Sequence, residues 1–242
     1  MNLEEHNEAF FAIDIVDSTL FKYSVHVNQW KDAFHYFFNQ AEDEIQKTFS
    51  SVSLEFKPVY WKAIGDCIVF KAKFKTPEEF LILAQNFMIF FTTFANEIKQ
   101  KYEIQVKFNI WHATFPNINL KFNTGGKEDF IGPDMDVGFR LASKAIPNKC
   151  LITMDSVLLI ASIHDASLSF IHLGWAKLKG VKSEQNYPIF QIIDDHSYWN
   201  HSLVEGFEGI KGDKAFGKLD YKSAIKIIEQ YKEDLNFSPF RV

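Results

Sequence analysis

Three aspartates stand where buried strands are predicted to end or turn. Asp14 closes the apolar run 8–14, Asp66 follows Gly65 in a short turn, and Asp129 comes after a Gly-Gly turn. Carboxylates at neighbouring strand ends can bind a hard divalent cation such as Mg²⁺ or Mn²⁺, which prefers oxygen ligands and leaves room for phosphate oxygens. A Gly-Asp pair is also a common turn, and many strands stop at an Asp. The spacing alone leaves both interpretations open.

Basic side chains that could contact phosphate follow further along the chain. Asp136 and Arg140 are four residues apart, so they share one face of a predicted helix. An arginine there can clamp a phosphate through two hydrogen bonds, or it can form a plain ion pair with the aspartate. Lys177, Lys179 and Lys182 flank a glycine between two predicted strands. Such a turn can aim an ammonium at a polyphosphate, although most turns of this kind are solvated hairpins.

Other familiar catalytic patterns are missing from the sequence. There is no Walker-type phosphate loop, no Gly-x-Ser-x-Gly motif and no Cys/His spacing typical of a zinc site. The histidines are scattered singly, so we interpret each as structural or exposed. The candidate chemistry is therefore that of carboxylates, a divalent metal and phosphate.

Composition limits the class of protein. The chain has 242 residues, 47% of them hydrophobic, with a net charge of -5, which predicts a globular domain that buries its core without disulfides. Two cysteines and an acidic N-terminus predict a cytoplasmic protein. Polar residues interrupt the apolar stretch 80–94, which predicts a core helix and no membrane contact. Without a basic tract, we expect no nucleic-acid partner.

The elements that must position these side chains follow a recognisable order. Residues 8–14 predict a strand, 25–49 an amphipathic helix, 54–62 and 67–74 a hairpin, 76–102 a capped helix and 104–114 a further strand. This β-α-β-β-α-β order predicts an α+β fold with a ferredoxin-like split βαβ core. Later elements are expected at 133–145, 150–154, 156–163, 168–179, 188–193 and 221–231. We expect a catalytic domain at 1–194 and a C-terminal extension, 195–242, packed on it.

Four segments, in order and at the expected spacing, resemble the catalytic domain of class III nucleotide cyclases, the adenylate and guanylate cyclase family. They are FFAIDIVDSTLF (10–21), WKAIGDCIVF (61–70), EDFIGPDMDVGFRLASKA (128–145) and AKLKGVK (176–182). Each is loose alone, and together they are specific. The resemblance implies an enzyme that converts a ribonucleoside triphosphate to its 3′,5′-cyclic monophosphate and pyrophosphate. It also implies two Mg²⁺ or Mn²⁺ ions and a homodimer with active sites at the interface.

The resemblance also implies a set of metal and triphosphate contacts within one subunit. Asp14 and Asp66 match the two metal-binding aspartates, and the backbone carbonyl of Ile15 matches the remaining ligand of one ion. The turn that contains Ser18 and Thr19 matches the segment whose amides approach the triphosphate.

The partner subunit would contribute the remaining groups. Arg140 matches the arginine that stabilises the transition state, and Lys179 the lysine that holds the terminal phosphates. Lys62 and Asp129 fall where the family reads the base. Asp136 stands where the family usually has an asparagine that orients the ribose, a departure that puts the catalytic detail in doubt.

Two indications about the base point in different directions. Lys62 and Asp129 are the residue types of adenine-selective members, which implies ATP and cyclic AMP. Bulky Tyr60 and Trp61 on the base-reading strand, together with the compact standalone chain, resemble the pyrimidine cyclases of bacterial antiphage defence, which make cyclic CMP or cyclic UMP. We expect a pyrimidine, with ATP as the alternative.

Two further hypotheses remain at this point. The chain could be a degenerate nucleotide-binding or dimerisation module, although it retains Asp14, Asp66 and Arg140, which such modules commonly lose. A polymerase-type palm shares the split βαβ plan and the paired aspartates. The helix 132–144 and the turn at Lys179 favour the cyclase.

Overall fold

The N-terminal strand β1 (His6–Ile15) lies between two antiparallel neighbours, β3 (Cys67–Phe74) and β4 (Val106–Phe115). The computed structural model describes residues 6–163, 168–181, 186–194, 210–211, 218–219 and 221–234. The middle of β1 is buried on both sides of the sheet, which explains why its sequence is a continuous apolar run.

The remaining strands extend the sheet on both sides of β1. They are β2 (Val59–Ile64), β7 (Cys150–Ile152), β8 (Leu168–Lys177), β9 (Asn186–Asp194), β10 (Ile210–Lys211) and β11 (Lys218–Leu219). The order across the sheet is β10-β8-β9-β7-β4-β1-β3-β2, with β11 also paired to β8 and with β7 parallel to β4. A separate hairpin consists of β5 (Leu120–Thr124) and β6 (Lys127–Ile131). The mixed sheet confirms the predicted α+β class.

Six helices complete the described structure. They are α1 (Ser18–Ser24), α2 (Val27–Thr48), α3 (Pro77–Tyr102), α4 (Pro133–Ala142), α5 (Met154–Ala161) and α6 (Tyr221–Asp234). Helix α3 begins with a capping box, in which Thr76 and Glu79 each accept from the other's backbone amide. By length and composition alone α3 could cross a membrane, but half of its most apolar 18 residues are buried inside the structure. Phenylalanines from α3 fill the main core under the sheet.

The opposite face of the sheet carries a smaller apolar cluster. Alternate residues of β1 and β4, such as Phe10 and Trp111, meet Phe130 of β6 and Met135 of α4 there. Phe10 and Trp111 stack with ring centroids 5.3 Å apart. Helix α4 and the β5–β6 hairpin are thus fixed on the face that also carries Asp14, because side chains two residues apart along a strand share a face.

The structure differs from the sequence prediction at two places in the first half of the chain. Residues 18–24 form a short helix, where the polar run at 17–19 had predicted only a turn. Residues 54–56 form a 3₁₀ turn, so β2 begins at Val59.

The C-terminal segment joins the same core where it is described. Ala224, Ile228 and Tyr231 of α6 are buried, and Tyr231 meets Tyr187 of β9 edge to face at 5.8 Å. The short strands β10 and β11 pair with β8 and cover that part of the sheet edge. Lys182 and most of the predicted extension 195–242 lie outside the described residues.

Candidate active site

Sheet register brings the two aspartates at the ends of β1 and the β2–β3 turn together. Asp14 is the cross-strand partner of Cys67 on β3, and Asp66 immediately precedes Cys67. Burial raises the pKa of Asp14, and the charge of Asp66 and a hydrogen bond between the two carboxyl groups raise it further. The two carboxylates that the sequence predicts to lie close together are therefore neighbours in the structure.

The surroundings of the pair are partly buried and carry negative charge. Burial is the largest cause that raises the pKa of Asp14, and Lys107 opposes it with its Nζ 3.0 Å from Asp14 Oδ2. Burial, and then the charges of Asp14 and Asp66, raise the pKa of the Cys67 thiol to about 12. Such a site stabilises cations and disfavours further negative charge.

A cleft of about 610 Å³ opens at this pair. Its lining consists of Asp14, Ile15, Asp17, Ser18, Thr19, Leu20, Tyr23, Asp66 and Lys107. Asp17 has a left-handed backbone conformation, with a φ of 50°. This conformation lies between the end of β1 and the start of α1, so residues of both elements line the cleft. The volume lies in the range of small-molecule sites. Five residues predicted for metal or triphosphate contacts thus share one cleft.

Lys62 and Asp129 form a second cluster on the same face of the sheet. Lys62 Nζ lies 2.6 Å from Asp129 Oδ1 and 4.0 Å from the centroid of the Trp61 ring. Partial burial acts to raise the pKa of Asp129, but the Lys62 ammonium and the Phe130 amide outweigh it and leave that pKa below its ordinary value. Tyr60, predicted to contact the nucleotide, is half exposed and lies on the other face of the sheet, where it meets its cross-strand partner Phe70 edge to face, so the structure does not bring it to this cluster.

A buried ion network fixes the hairpin that carries Asp129. Glu8 of β1 is fully buried, and its carboxylate lies 3.0 Å from Lys71 Nζ. Lys71 also contacts Glu128, which pairs with Lys121 of the neighbouring strand. The backbone carbonyl of Glu128 accepts a 2.9 Å hydrogen bond from the Trp61 indole. The hairpin is therefore attached to the sheet by charge as well as by apolar packing.

Helix α4 presents Asp136 and Arg140 to solvent. Both side chains are exposed, and within the described part of the chain no ion pair joins them, so the plain ion pair that the spacing left open is not formed. Phe139, beside Arg140, lies with its ring centroid 5.8 Å from Lys62 Nζ. The helix is thus packed against the Lys62 cluster.

Lys179 is exposed in the turn between β8 and β9, where Gly180 has a φ of 80° that glycine adopts without strain. Of the residues that the structure describes, neither Lys179, Arg140, Lys62 nor Asp129 lines the cleft at Asp14. One chain therefore holds two sets of predicted site residues, those that line the cleft and these four outside it, of which Lys62 and Asp129 contact each other.

Lys107 and Trp61 contribute to these clusters in ways that sequence reasoning missed. In the sequence Lys107 is only one polar position of an alternating strand. Its contact with Asp14 depends on the β1–β4 register, which the sequence does not display. From the sequence we expect Trp61 to crowd the base-reading strand. In the structure its ring makes a cation–π contact with the Lys62 ammonium.

The donor set at the cleft suits a hard cation. Within the described residues no cluster of three or more His, Cys, Asp or Glu side chains could hold a metal ion, so Asp14 and Asp66 would be its side-chain ligands, although Asp17 also lines the cleft. Backbone oxygens and the oxygens of a bound phosphate would complete the coordination sphere, as is usual for Mg²⁺.

Comparisons with known proteins identify the fold. No protein-family model and no curated protein sequence matches the chain. Among solved structures, the adenylyl cyclase CyaB from P. aeruginosa matches with a TM-score of 0.60 and 16% identity, over 79% of this chain and 95% of that one. The guanylate cyclase domain of RhGC from Catenaria anguillulae, in complex with GTP, matches at 0.55 and 12%, over 79% and 99%.

A third solved structure is a dimeric guanylyl cyclase domain, that of the RhoGC fusion protein from the aquatic fungus Blastocladiella emersonii. It matches with a TM-score of 0.55 and 11% identity, over 79% of this chain and 99% of that one. The chain thus has the fold of the class III nucleotide cyclase catalytic domain. The resemblance drawn from four sequence segments is confirmed at the level of the fold.

Proposed function

We propose that the protein is a nucleotide cyclase that converts a ribonucleoside triphosphate to its 3′,5′-cyclic monophosphate and pyrophosphate. One observation carries the proposal: in a cyclase fold, Asp14 and Asp66 meet in a cleft also lined by Ser18 and Thr19, which begin α1 directly after the turn at 16–17. Paired carboxylates beside a polar turn are what a metal-bound triphosphate needs.

The chain's own residues support each part of that reaction. Asp14, Asp66 and the carbonyl of Ile15 would hold two Mg²⁺ or Mn²⁺ ions, which supply Lewis acidity toward the ribose 3′-hydroxyl and the α-phosphate. Ser18 and Thr19 would bind the triphosphate within the same cleft. Arg140 would offset the negative charge that grows on the phosphate oxygens in the transition state, and Lys179 would hold the terminal phosphates.

A homodimer would bring the two groups of residues together. Arg140, Lys179, Lys62 and Asp129 lie outside the Asp14 cleft, so a single chain offers complementary halves of a site. Large apolar side chains beside these halves are exposed, among them Leu20 at 67%, Tyr23 at 87% and Ile64 at 48%. Apolar surface of this kind favours association with a second copy. Each dimer would hold two active sites.

For the base, we propose a pyrimidine, with cyclic CMP or cyclic UMP as the product and a second-messenger role in antiphage defence in the cytoplasm. The Lys62–Asp129 pair offers one donor and one acceptor to a base edge. The Trp61 ring, whose centroid lies 4.0 Å from Lys62 Nζ, reduces the space beside the pair. Asp129 could accept a hydrogen bond from the amine of cytosine or of adenine, so ATP is the alternative substrate.

One experiment tests the activity and the base together. Purified protein is incubated with Mn²⁺ and each of the four ribonucleoside triphosphates separately, and the products are identified by mass. A cyclic pyrimidine nucleotide that disappears in Asp14→Asn is the expected result. Cyclic AMP alone would overturn the pyrimidine assignment. Nucleotide binding without any cyclic product would identify a degenerate module, the reading that Asp136 favours.

A further inference from the structure

Lys107 is the one basic side chain, among the described residues, in the cleft of the carboxylate pair. It is the cross-strand partner of Asp14 in the β1–β4 register, and its Nζ lies 3.0 Å from Asp14 Oδ2. The two side chains are 20% and 26% exposed, so water screens the contact only in part. Because two central strands fix both backbones, the ammonium is held near the carboxylate by the sheet itself.

A cation in this position competes with a metal ion. Asp14 would give its oxygens to Mg²⁺ or Mn²⁺, yet one of them already accepts from Lys107. A single positive charge about 5 Å from a divalent ion is repulsive enough to weaken metal binding by about tenfold even at a water-like dielectric constant. With Asp66 and Asp17 included, three carboxylates and one ammonium line the cleft, so it still attracts a divalent ion.

The triphosphate offers Lys107 a second anionic partner. The cleft that Lys107 lines also contains Ser18 and Thr19, the residues proposed to bind the triphosphate. A lysine side chain is long and flexible, and its ammonium behaves as a point charge that can change partners without a change in the sheet. When it contacts phosphate, it neutralises nucleotide charge and leaves Asp14 free for the metal.

We propose that Lys107 is a resident counter-ion that keeps free metal off Asp14, and that the triphosphate draws its ammonium away and thereby admits the metal. This inference rests on the proposed function, because it takes Asp14 and Asp66 as metal ligands. Metal and nucleotide then bind cooperatively, and the coupling is reciprocal. The site would remain largely metal-free until substrate arrives.

The test is a Mn²⁺ titration of the nucleotide-free protein, followed by the electron paramagnetic resonance signal of the free ion. Lys107→Met keeps the aliphatic stem and removes the charge, and Lys107→Arg keeps the charge. We expect Lys107→Met to bind Mn²⁺ about tenfold more tightly than the wild type and Lys107→Arg to bind like the wild type. Equal or weaker binding by Lys107→Met would overturn the inference. Circular dichroism checks folding, and Lys107→Gln replaces the Met variant if that one does not fold.

A second arm measures the coupling itself. With a non-cyclisable α,β-methylene analogue of the substrate, the wild type should gain more Mn²⁺ affinity than Lys107→Met, by about tenfold. Equal gains in the two proteins would contradict the proposed partner exchange.

Asp14→Asn separates the failure of this inference from that of the proposed function. It should lose at least about tenfold in Mn²⁺ affinity, because a metal-ligating oxygen is removed. If Asp14→Asn binds Mn²⁺ like the wild type, the metal site itself is wrong. If it loses affinity while Lys107→Met gains none, only the role of Lys107 is wrong.

Discussion

The backbone of Gly138 lies directly on the indole ring of Trp111. A Cβ atom at residue 138 would come within 2.4 Å of the ring, far inside van der Waals contact. Asn109, two residues before Trp111 on β4, donates a 2.9 Å hydrogen bond to the Gly138 carbonyl. This close approach fixes helix α4, and with it Arg140, at a defined height above the sheet.

The substitution Gly138→Ala should therefore displace α4. We expect Gly138→Ala to lower the free energy of unfolding by about 1–3 kcal/mol, the usual cost of overpacking. We also expect it to lower turnover by at least as large a factor as Met135→Leu, the control, which is a volume-conserving change in the same helix. Urea unfolding monitored by circular dichroism measures the first quantity. Unchanged stability would show that the helix does not depend on this contact.

Asp66→Asn should remove activity while the fold persists. The charge of Asp66 raises the pKa of Asp14, so its neutralisation relieves repulsion between two carboxylates. We expect thermal stability without metal to be equal to or above that of the wild type, and turnover to fall by at least about a hundredfold because a metal ligand is lost. Asp43→Asn, at an exposed position of α2, is the matched control and should change neither property. A destabilised Asp66→Asn would contradict the electrostatic argument.

Breaking the Lys62–Asp129 pair should change substrate choice more than stability. The side chains are 29% and 39% exposed, and pairs of this kind contribute about 0–1 kcal/mol to folding. We expect Lys62→Met to lower kcat/KM for the preferred triphosphate by about 10- to 100-fold and to reduce its advantage over the other bases. Lys75→Met removes a more exposed pair with Glu55, whose side chains are 67% and 58% exposed, and should leave selectivity intact. Equal losses on all four triphosphates would argue against base reading by Lys62.

His112 should make the protein lose stability as the pH falls. Burial lowers the pKa of His112 to about 4, below its ordinary value of 6.5. Its Nδ1 lies 2.8 Å from the Ser156 hydroxyl, which can donate only to a neutral ring. Between these pKa values the unfolded chain binds more protons than the folded protein, so stability is full above pH 6.5 and declines toward pH 4. In His112→Asn the free energy of unfolding should fall less between pH 7 and pH 5 than in the wild type. Identical pH slopes would exclude this role.

Local chemistry explains which parts of the architecture were predictable from sequence. The capping box at Thr76 and Glu79, and the phenylalanine stripe that follows it, define α3 by short-range rules. The split βαβ order follows from such elements taken in sequence. Helix α1 was missed because it is short and follows Asp17, whose left-handed backbone conformation resembles that of a turn.

The candidate site was predictable only where it depends on strand ends. Asp14 and Asp66 terminate adjacent elements, so their meeting could be anticipated. The contact of Lys107 with Asp14 depends on which strand pairs with β1 and in which register, a long-range property. Helical spacing suggested a pair between Asp136 and Arg140, yet both are exposed, where water competes for each charge.

Mixing two inactive variants tests the central claim most directly, because it asks whether the two groups of residues belong to one active site formed by two chains. Asp14→Asn lacks a proposed metal ligand in the cleft. Arg140→Ala lacks the arginine that the partner chain is proposed to contribute to the same site. When the two are co-refolded in equal amounts and supplied with Mn²⁺ and the substrate triphosphate, cyclic nucleotide formation should recover to about a quarter of the wild-type rate, since about half of the dimers are mixed and each has one intact site. No recovery in dimers shown to be mixed would contradict the account.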